Sequence, residues 1–248
     1  MTLAADRSLC DLSLGIVCPM ANEGAESVRF VKAVLEQCLA FKRVMFFAVL
    51  DNATEDDSLS LLHELAKTEP RLKVVWAPEN DCVAGAYVRG YREALGAGSD
   101  WILEIDAGFS HQPEQIPRFF QAMQKGYDCA FGTRFARGGR FMESPLSRYL
   151  ISYGGTILTN LLMGTRLSDM TSGFELFSRD ALEMVLEKGI YSRAHFFQTE
   201  IKVSCRRLKI AEVPIHYRHP SPRLGTEALS DAFRQLRRLF VSRCKGQL

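Results

Sequence analysis

The apolar positions of this chain switch period repeatedly through its first half. Leu12 to Cys18 is a short apolar run and a strand candidate, after which Val28, Val31, Val34, Leu35 and Cys38 recur at helical spacing. Val44 to Leu50 is apolar throughout, which predicts a strand buried on both faces. The turn from Asp51 and Asn52 to Asp56 and Asp57 then opens a helix carrying Leu61, Leu62 and Leu65. A third strand is expected at Lys73 to Trp76 and a third helix at Ala84 to Leu95. Trp101 to Ile105 reads as a fourth strand, Ile116 to Met123 as a helix, and Asp128 to Thr133 as a fifth strand. Five such alternations call for a parallel sheet covered by helices.

After Thr133 the regularity breaks. Ala136-Arg137-Gly138-Gly139-Arg140 reads as a flexible basic loop, followed by a helix from about Arg148 to Gly164. Ser168 to Gly173 reads as a turn into a strand at Phe174 to Phe177. Helices are expected at Arg179 to Glu187 and His195 to Arg207, and a strand at Ile210 to Tyr217. In the last segment, Leu229, Ala232, Phe233, Leu236, Leu239 and Phe240 share one arc of a helix, with Arg234, Arg237, Arg238 and Lys245 opposite. Such a helix either caps the core with a solvated outer face or lies flat on an anionic membrane.

Two strands end in single acids, Asp51 and Asp106. Asp106 is followed by the small residues Ala107 and Gly108, and Gln112-Pro113-Glu114 then resembles a helix entrance. A carboxylate delivered to a strand tip stands where open α/β sheets bind ligands, although a solvated turn residue has the same pattern. No GxGxxG turn accompanies either strand. Gly85 and Gly90 lie inside a helical pattern and fit close packing better than phosphate approach.

Composition and charge narrow the function. Residues 1–125 hold 12 Lys and Arg against 18 Asp and Glu, and residues 126–248 hold 19 against 11. The acidic half suits a metal or a sugar, and the basic half suits phosphate or an anionic surface. The basic residues are dispersed and form no nucleic-acid reading motif, so nucleic acid is not an expected partner. The 7 cysteines show no CxxC spacing, which argues against a disulfide framework or a zinc site and fits a reducing cytoplasm. The first residues lack the basic-then-apolar order of a signal peptide. The uncharged stretch from Tyr149 to Thr165 carries Ser, Tyr, Gly, Thr and Asn, and reads as a core or interfacial helix. A cytoplasmic protein, peripheral at most on the cytoplasmic face of a membrane, is expected.

Several motifs fall in a familiar order: Pro19-Met-Ala-Asn-Glu23, Leu50-Asp-Asn52, Gly85-Ala-Tyr-Val-Arg-Gly90 and Ile105-Asp-Ala-Gly-Phe-Ser-His111, then Gly132-Thr-Arg134, Thr171-Ser-Gly-Phe174, Phe197-Gln-Thr-Glu200 and Glu212-Val-Pro-Ile215. Together they resemble the family 2 glycosyltransferases of GT-A fold, most closely the dolichyl- and polyprenyl-phosphate mannosyltransferase branch. The resemblance runs from about Leu14 to Leu224. It implies an α/β fold with a mostly parallel central sheet covered by helices on both faces. Residues 1–224 would form one catalytic domain, nucleotide-binding to residue 133 and acceptor-side beyond, with residues 225–248 as a basic amphipathic helix. It further implies inverting transfer of a hexose from a nucleotide-sugar, GDP-mannose or a UDP-sugar, to a polyprenyl phosphate or related lipid-linked acceptor. Pro19, Ala21, Glu23 and Asp51 would line the base and ribose pocket. Asp106 would be the first acid of a metal-binding Asp-x-Asp motif, with Ser110 as a further polar contact to Mg2+ or Mn2+. Arg134, Arg148 and Ser152 would hold the diphosphate and the acceptor phosphate. Arg218 or Arg223 would reach phosphate from a late loop, here Pro220-Ser-Pro-Arg-Leu224, which is shorter than the family's Gly-x-Ser-Lys form. A membrane surface or a membrane-protein partner would meet the C-terminal helix.

The physical demands of that reaction stand apart from the resemblance. The acceptor phosphate is already anionic near neutral pH, with a second pKa of about 6, so no protein base is needed. No convincing Ser/His/Asp or Cys/His arrangement is found. The leaving diphosphate needs positive charge from a metal or from arginine forks. The second acid of Asp-x-Asp is absent, because position 108 is glycine. Hard cations favour anionic oxygens, so its loss weakens the expected metal site. Either the metal binds through Asp106, diphosphate and water, or arginines make it dispensable, or the chain binds nucleotide-sugar without turnover. A soluble acceptor remains an alternative. A nucleotidyltransferase would want a glycine-rich basic loop after the first strand, and Pro19 to Gly24 is neither.

Overall fold

The computed structural model describes residues 8–142, 145–218 and 226–248. Its strands are β1 (Ser13–Pro19), β2 (Arg43–Leu50), β3 (Leu72–Trp76), β4 (Trp101–Glu104), β5 (Cys129–Thr133), β6 (Arg140–Phe141), β7 (Glu175–Ser178), β8 (Ile210–Pro214) and β9 (His216–Tyr217). Its α-helices are α1 (Ala25–Glu36), α2 (Ser58–Ala66), α3 (Val83–Gly96), α4 (Ile116–Met123), α5 (Leu146–Met163), α6 (Arg179–Lys188), α7 (Phe197–Ser204) and α8 (Thr226–Cys244). Seven strands form one sheet in the order β3-β2-β1-β4-β7-β5-β8, and β6 pairs with β9 in a second, two-stranded sheet.

Every pairing in the large sheet is parallel except those of β7, which runs antiparallel to β4 and β5. This reversal matters for function. Glu175, the first residue of β7, pairs with Glu104 at the end of β4 and with Phe131 near the end of β5. The chain just before β7 therefore arrives at the edge where β1, β4 and β5 deliver theirs. Successive strand residues face opposite sides, so Phe46 and Phe47 enter different cores. One core holds Phe30, Leu103, Phe119 and Phe174, and the other holds Val17, Tyr91, Phe131 and Phe197.

The sequence pattern locates these elements with a few differences. The expected strand at Ile210 to Tyr217 is two strands in different sheets, split at Ile215, and Arg140 in the supposed flexible loop begins β6. The helix expected over His195 to Arg207 is shorter, at Phe197–Ser204. The tips carrying Asp51 and Asp106 are not adjacent, because β1 lies between β2 and β4. Along α8, Leu236 and Leu239 are buried against Met163, Met170 and Val203, whereas Phe233 and Phe240 remain exposed. Arg238, expected on the solvated side, pairs with Glu200 and lies 3.9 Å over the Tyr191 ring. Asp231 turns inward as well, accepting from the Ser192 hydroxyl and the Arg193 and Ala194 backbone. The inward arc is thus part polar, which a count of apolar positions does not register.

Gly90 is a contact point between α3 and the sheet. A Cβ there would stand 2.3 Å from Val17 Cγ1 and 3.1 Å from Val49 Cγ2, whereas one on Gly96 of the same helix meets nothing within 4 Å. Gly90→Ala is therefore expected to lose about 1–3 kcal/mol to overpacking despite alanine's better helix propensity. Gly96→Ala is expected to be neutral or to gain up to about 1 kcal/mol. Urea denaturation of the two variants checks the contrast.

Candidate active site

The strand ends converge on a cavity of about 770 Å³ at the carboxyl edge of the sheet. Pro19 and Glu23 reach it from the end of β1, Asp106, Ser110 and His111 from the loop after β4, and Arg134 from the end of β5. Thr171, Ser172 and Gly173 arrive from the connection into β7. Arg148, Ser152, Gly154 and Gly155 come from α5, and Ala232, Phe233 and Leu236 close the far side from α8.

Arg134 is buried, and its guanidinium is spoken for. Nε and Nη2 donate to Asp169 Oδ2 and Oδ1 at 2.7 and 2.8 Å, Nη2 also donates to Thr171 Oγ1 at 2.5 Å, and the Arg134 backbone N–H donates to Asp169 Oδ2 at 3.0 Å. Phe141, Phe135 and Tyr217 surround its Cζ at 4.7, 5.2 and 5.6 Å. Burial works against both charges, but each outweighs it for the other: Arg134 is raised above the ordinary arginine value and Asp169 lowered below the ordinary carboxylate value. Arg134 lines the cavity as expected, yet two of its three nitrogens hold protein rather than diphosphate.

Arg148 is the opposite case. Its Nε and Nη1 are buried and have no hydrogen-bond partner among the described residues. Burial pushes its pKa down, the Tyr217 hydroxyl works against that shift, and Arg134 adds to it. An orphaned guanidinium at a cavity wall is a ready anion site, because burying a cation unmatched is costly.

Asp106 sits half exposed at the cavity mouth. Its Oδ1 accepts the Tyr87 hydroxyl of α3, and its backbone N–H donates to His111 Nδ1 at 3.4 Å. His111 is buried between Phe174 and Tyr217, and burial takes its pKa down to about 4. The 3.7 Å approach of Nδ1 to Asp106 Oδ2 is therefore no ion pair near neutral pH, and the accepted bond puts the ring proton on Nε2. Burial, Asp56, Glu26 and Asp106, in that order, raise Glu23 above the ordinary glutamate value.

Not all expected residues gather here. Ala21 and Asp51 do not line the cavity, and Asp51 Oδ1 accepts the Ala53 N–H at 3.0 Å as a turn residue does. Arg218 is exposed, outside the lining, and held by its backbone N–H to the Ser110 carbonyl at 2.9 Å. Arg223 lies outside the described residues. Gly108 has φ +76°, and a Cβ on it would stand 2.9 Å from Glu23 Oε2. Among the described residues no group of three or more His, Cys, Asp or Glu is arranged to hold a metal. The pattern missed Tyr87, which reads as one more apolar helical position. It also missed Asp169, though the acid in Ser168-Asp-Met-Thr was the available signal.

The parallel sheet with one reversed strand, and a cleft at its carboxyl edge, are those of the GT-A fold. A crystal structure of glucosyl-3-phosphoglycerate synthase from Mycobacterium tuberculosis in complex with UDP superposes with a TM-score of 0.65 at 16% identity, covering 94% of this chain and 80% of that one. The same synthase with Mn2+, UDP and phosphoglyceric acid gives a TM-score of 0.62 at 17% identity, covering 94% and 78%. The glycosyl transferase family 2 model matches residues 15–186. An undecaprenyl-phosphate mannosyltransferase of Micrococcus luteus is 33% identical over 171 residues, covering 68% of this chain and 70% of that protein. A polyprenol monophosphomannose synthase of Mycolicibacterium smegmatis is 27% identical over 205 residues, covering 82% and 76%. The chain belongs to glycosyltransferase family 2, and it is a glycosyltransferase.

Asp169→Asn leaves Arg134 buried beside a neutral amide. It is expected to cost about 3–5 kcal/mol at pH 7 by urea denaturation. Because Asp169's folded pKa is lowered, its stabilisation is complete above the unfolded carboxylate value of about 3.9 and is lost as pH falls through the folded value. The variant's stability curve should lack that acid-side component.

Proposed function

We propose that the protein transfers a hexose from a nucleotide-sugar, GDP-mannose or a UDP-sugar, to a polyprenyl phosphate with inversion at the anomeric carbon. The observation that carries this reading is the two-sided cavity. At one end stand Asp106, Arg134 and Arg148, and between α5 and α8 the wall becomes Leu150, Ile151, Leu158, Leu229 and Phe233. A charged head followed by an apolar wall suits a ligand that is a phosphate on a hydrocarbon chain. A Cβ at Gly154 or Gly155 would meet nothing within 4 Å, so the groove is open there. Two relatives carry polyprenyl-type acceptors in their names, which agrees.

In this reading an oxygen of the lipid phosphate attacks the anomeric carbon. The bond from that carbon to the diphosphate breaks, and its electron pair leaves with the nucleoside diphosphate. The attacking oxygen is already deprotonated, so the protein's task is to position and to balance charge. Arg148 supplies the uncommitted cation. Arg134, its charge matched by Asp169, keeps its fork and its aromatic collar in place at the mouth without needing a ligand to hold them. Asp106 and Ser110 would hold a divalent cation, which as a Lewis acid would neutralise the leaving diphosphate. The fit is to the kind of site that uses one or two carboxylates plus substrate phosphates, so the lack of a three-acid cluster is no obstacle.

Purified protein should transfer labelled mannose from GDP-mannose, or another hexose from its UDP-sugar, to a polyprenyl phosphate but not to phosphoglyceric acid. Arg148→Ala should lower kcat by about 10²–10³. Gly155→Leu should block long polyprenyl phosphates while sparing a phosphate on a short chain. Transfer to phosphoglyceric acid alone would replace the lipid acceptor with a soluble one.

Membrane contact belongs to the same reading. No helix among the described residues is long and apolar enough to cross a membrane. Leu146, Leu150, Tyr153, Ile157 and Leu161 form an exposed apolar stripe along α5, beside the cavity mouth. The inward turn of α8 leaves α5 as the better membrane-facing surface. Leu146→Glu with Leu161→Glu should weaken co-sedimentation with anionic vesicles by at least about tenfold, since each leucine contributes roughly 1.5–3 kcal/mol when buried. Unchanged sedimentation would remove α5 from that role.

A further inference from the structure

Gly108 stands where the family's second metal-holding acid is expected, and what fills the space beside it is Glu23. A Cβ at 108 would lie 2.9 Å from Glu23 Oε2 and 3.6 Å from its Cδ. A side chain at 108 would thus point at a carboxylate that already occupies its place. That carboxylate comes from the loop after β1, the paired neighbour of the β4 strand that leads to Asp106. Glu23 is held from behind, its backbone N–H donating to Ser58 Oγ at 2.9 Å, while its carboxylate makes no hydrogen bond or ion pair with a described residue. Glu23, Asp106 and Ser110 line one cavity, and one Asp106 oxygen is taken by Tyr87 while the other lies 3.7 Å from His111 Nδ1.

We propose that Glu23 supplies the second metal-binding carboxylate of this chain, relocated from the loop after β4 to the loop after β1. The inference rests on the proposed nucleotide-sugar donor, whose diphosphate would complete the cation's shell with water. Hard cations require anionic oxygens at the right place and are indifferent to which segment supplies them. Glycine at 108 is then the counterpart of Glu23. An aspartate there would bring a third negative charge against a carboxylate whose Oε2 lies 2.9 Å from its Cβ position, on a backbone at φ +76°.

The test measures Mn2+ binding by loss of the free-ion electron paramagnetic resonance signal, with GDP or UDP present, and nucleotide affinity by calorimetry in EDTA. Wild type should bind one Mn2+ with nucleotide. Glu23→Gln should weaken Mn2+ by at least about tenfold, with nucleotide affinity in EDTA and the urea midpoint unchanged. Gly108→Asp alone should not tighten Mn2+, whereas Glu23→Ala combined with Gly108→Asp should recover most of the wild-type affinity. Equal Mn2+ binding by wild type and Glu23→Gln would overturn the proposal, as would a wild type that binds nucleotide in Mn2+ buffer yet takes up no Mn2+ with it. A Glu23→Gln loss that is the same size in EDTA would also overturn it, by assigning Glu23 to the nucleoside. Failure of wild type to bind either nucleotide under any condition would overturn the donor reading and this proposal with it.

Discussion

A cation shut away from water has to be matched where it lies, and Arg134 is such a cation. Asp169 matches it through two side-chain bonds and one to the backbone, and both residues are nearly inaccessible. This pairing joins the end of β5 to the connection that enters β7. It can form only because β7 runs against its neighbours, which brings residue 169 to the edge of the sheet that β4 and β5 also reach. The aromatic collar of Phe135, Phe141 and Tyr217 closes over the pair, and Tyr217 in turn packs at a tilt against His111 beside Asp106. The mouth of the cavity is thereby built around one internal ion pair.

The two arginines at this mouth show why residue type alone does not define a role. Both are expected to hold phosphate by resemblance. One has its fork filled by a carboxylate of the same chain, and the other has buried nitrogens with nothing to hold. A guanidinium already satisfied gains less from a ligand than one that is not. In the proposed reading Arg148 is therefore the residue whose energy changes most when an anion enters, while Arg134 sets the shape that the anion meets.

The alternation of strand and helix periods made the first half of the fold legible, because a parallel sheet buries each strand on both faces and each helix on one. The site was partly legible. Pro19, Glu23, Asp106, Ser110, Arg134, Arg148 and Ser152 meet in one cavity. Asp51 stands outside that cavity and accepts its own turn's Ala53 N–H, and a strand-end acid of that kind has the same spelling as one aimed at a ligand. Tyr87 escaped because its importance comes from helix rotation, which no local window contains, and the acid in Ser168-Asp-Met-Thr gains its meaning only once strand order sets Asp169 beside Arg134. Likewise α8 could not be settled by periodicity, since Asp231 and Arg238 face inward through specific partners on other elements.

The Tyr87 hydroxyl on α3 reaches the Asp106 carboxylate, and three residues further along the same helix Gly90 lies against Val17 and Val49. Those two positions fall on one face, so the close approach at the bare glycine sets the seat from which Tyr87 holds the acid. Variation among the small residues of that buried seam, far from any ligand, would then retune the aim of the carboxylate and could alter turnover while every residue touching substrate stays the same.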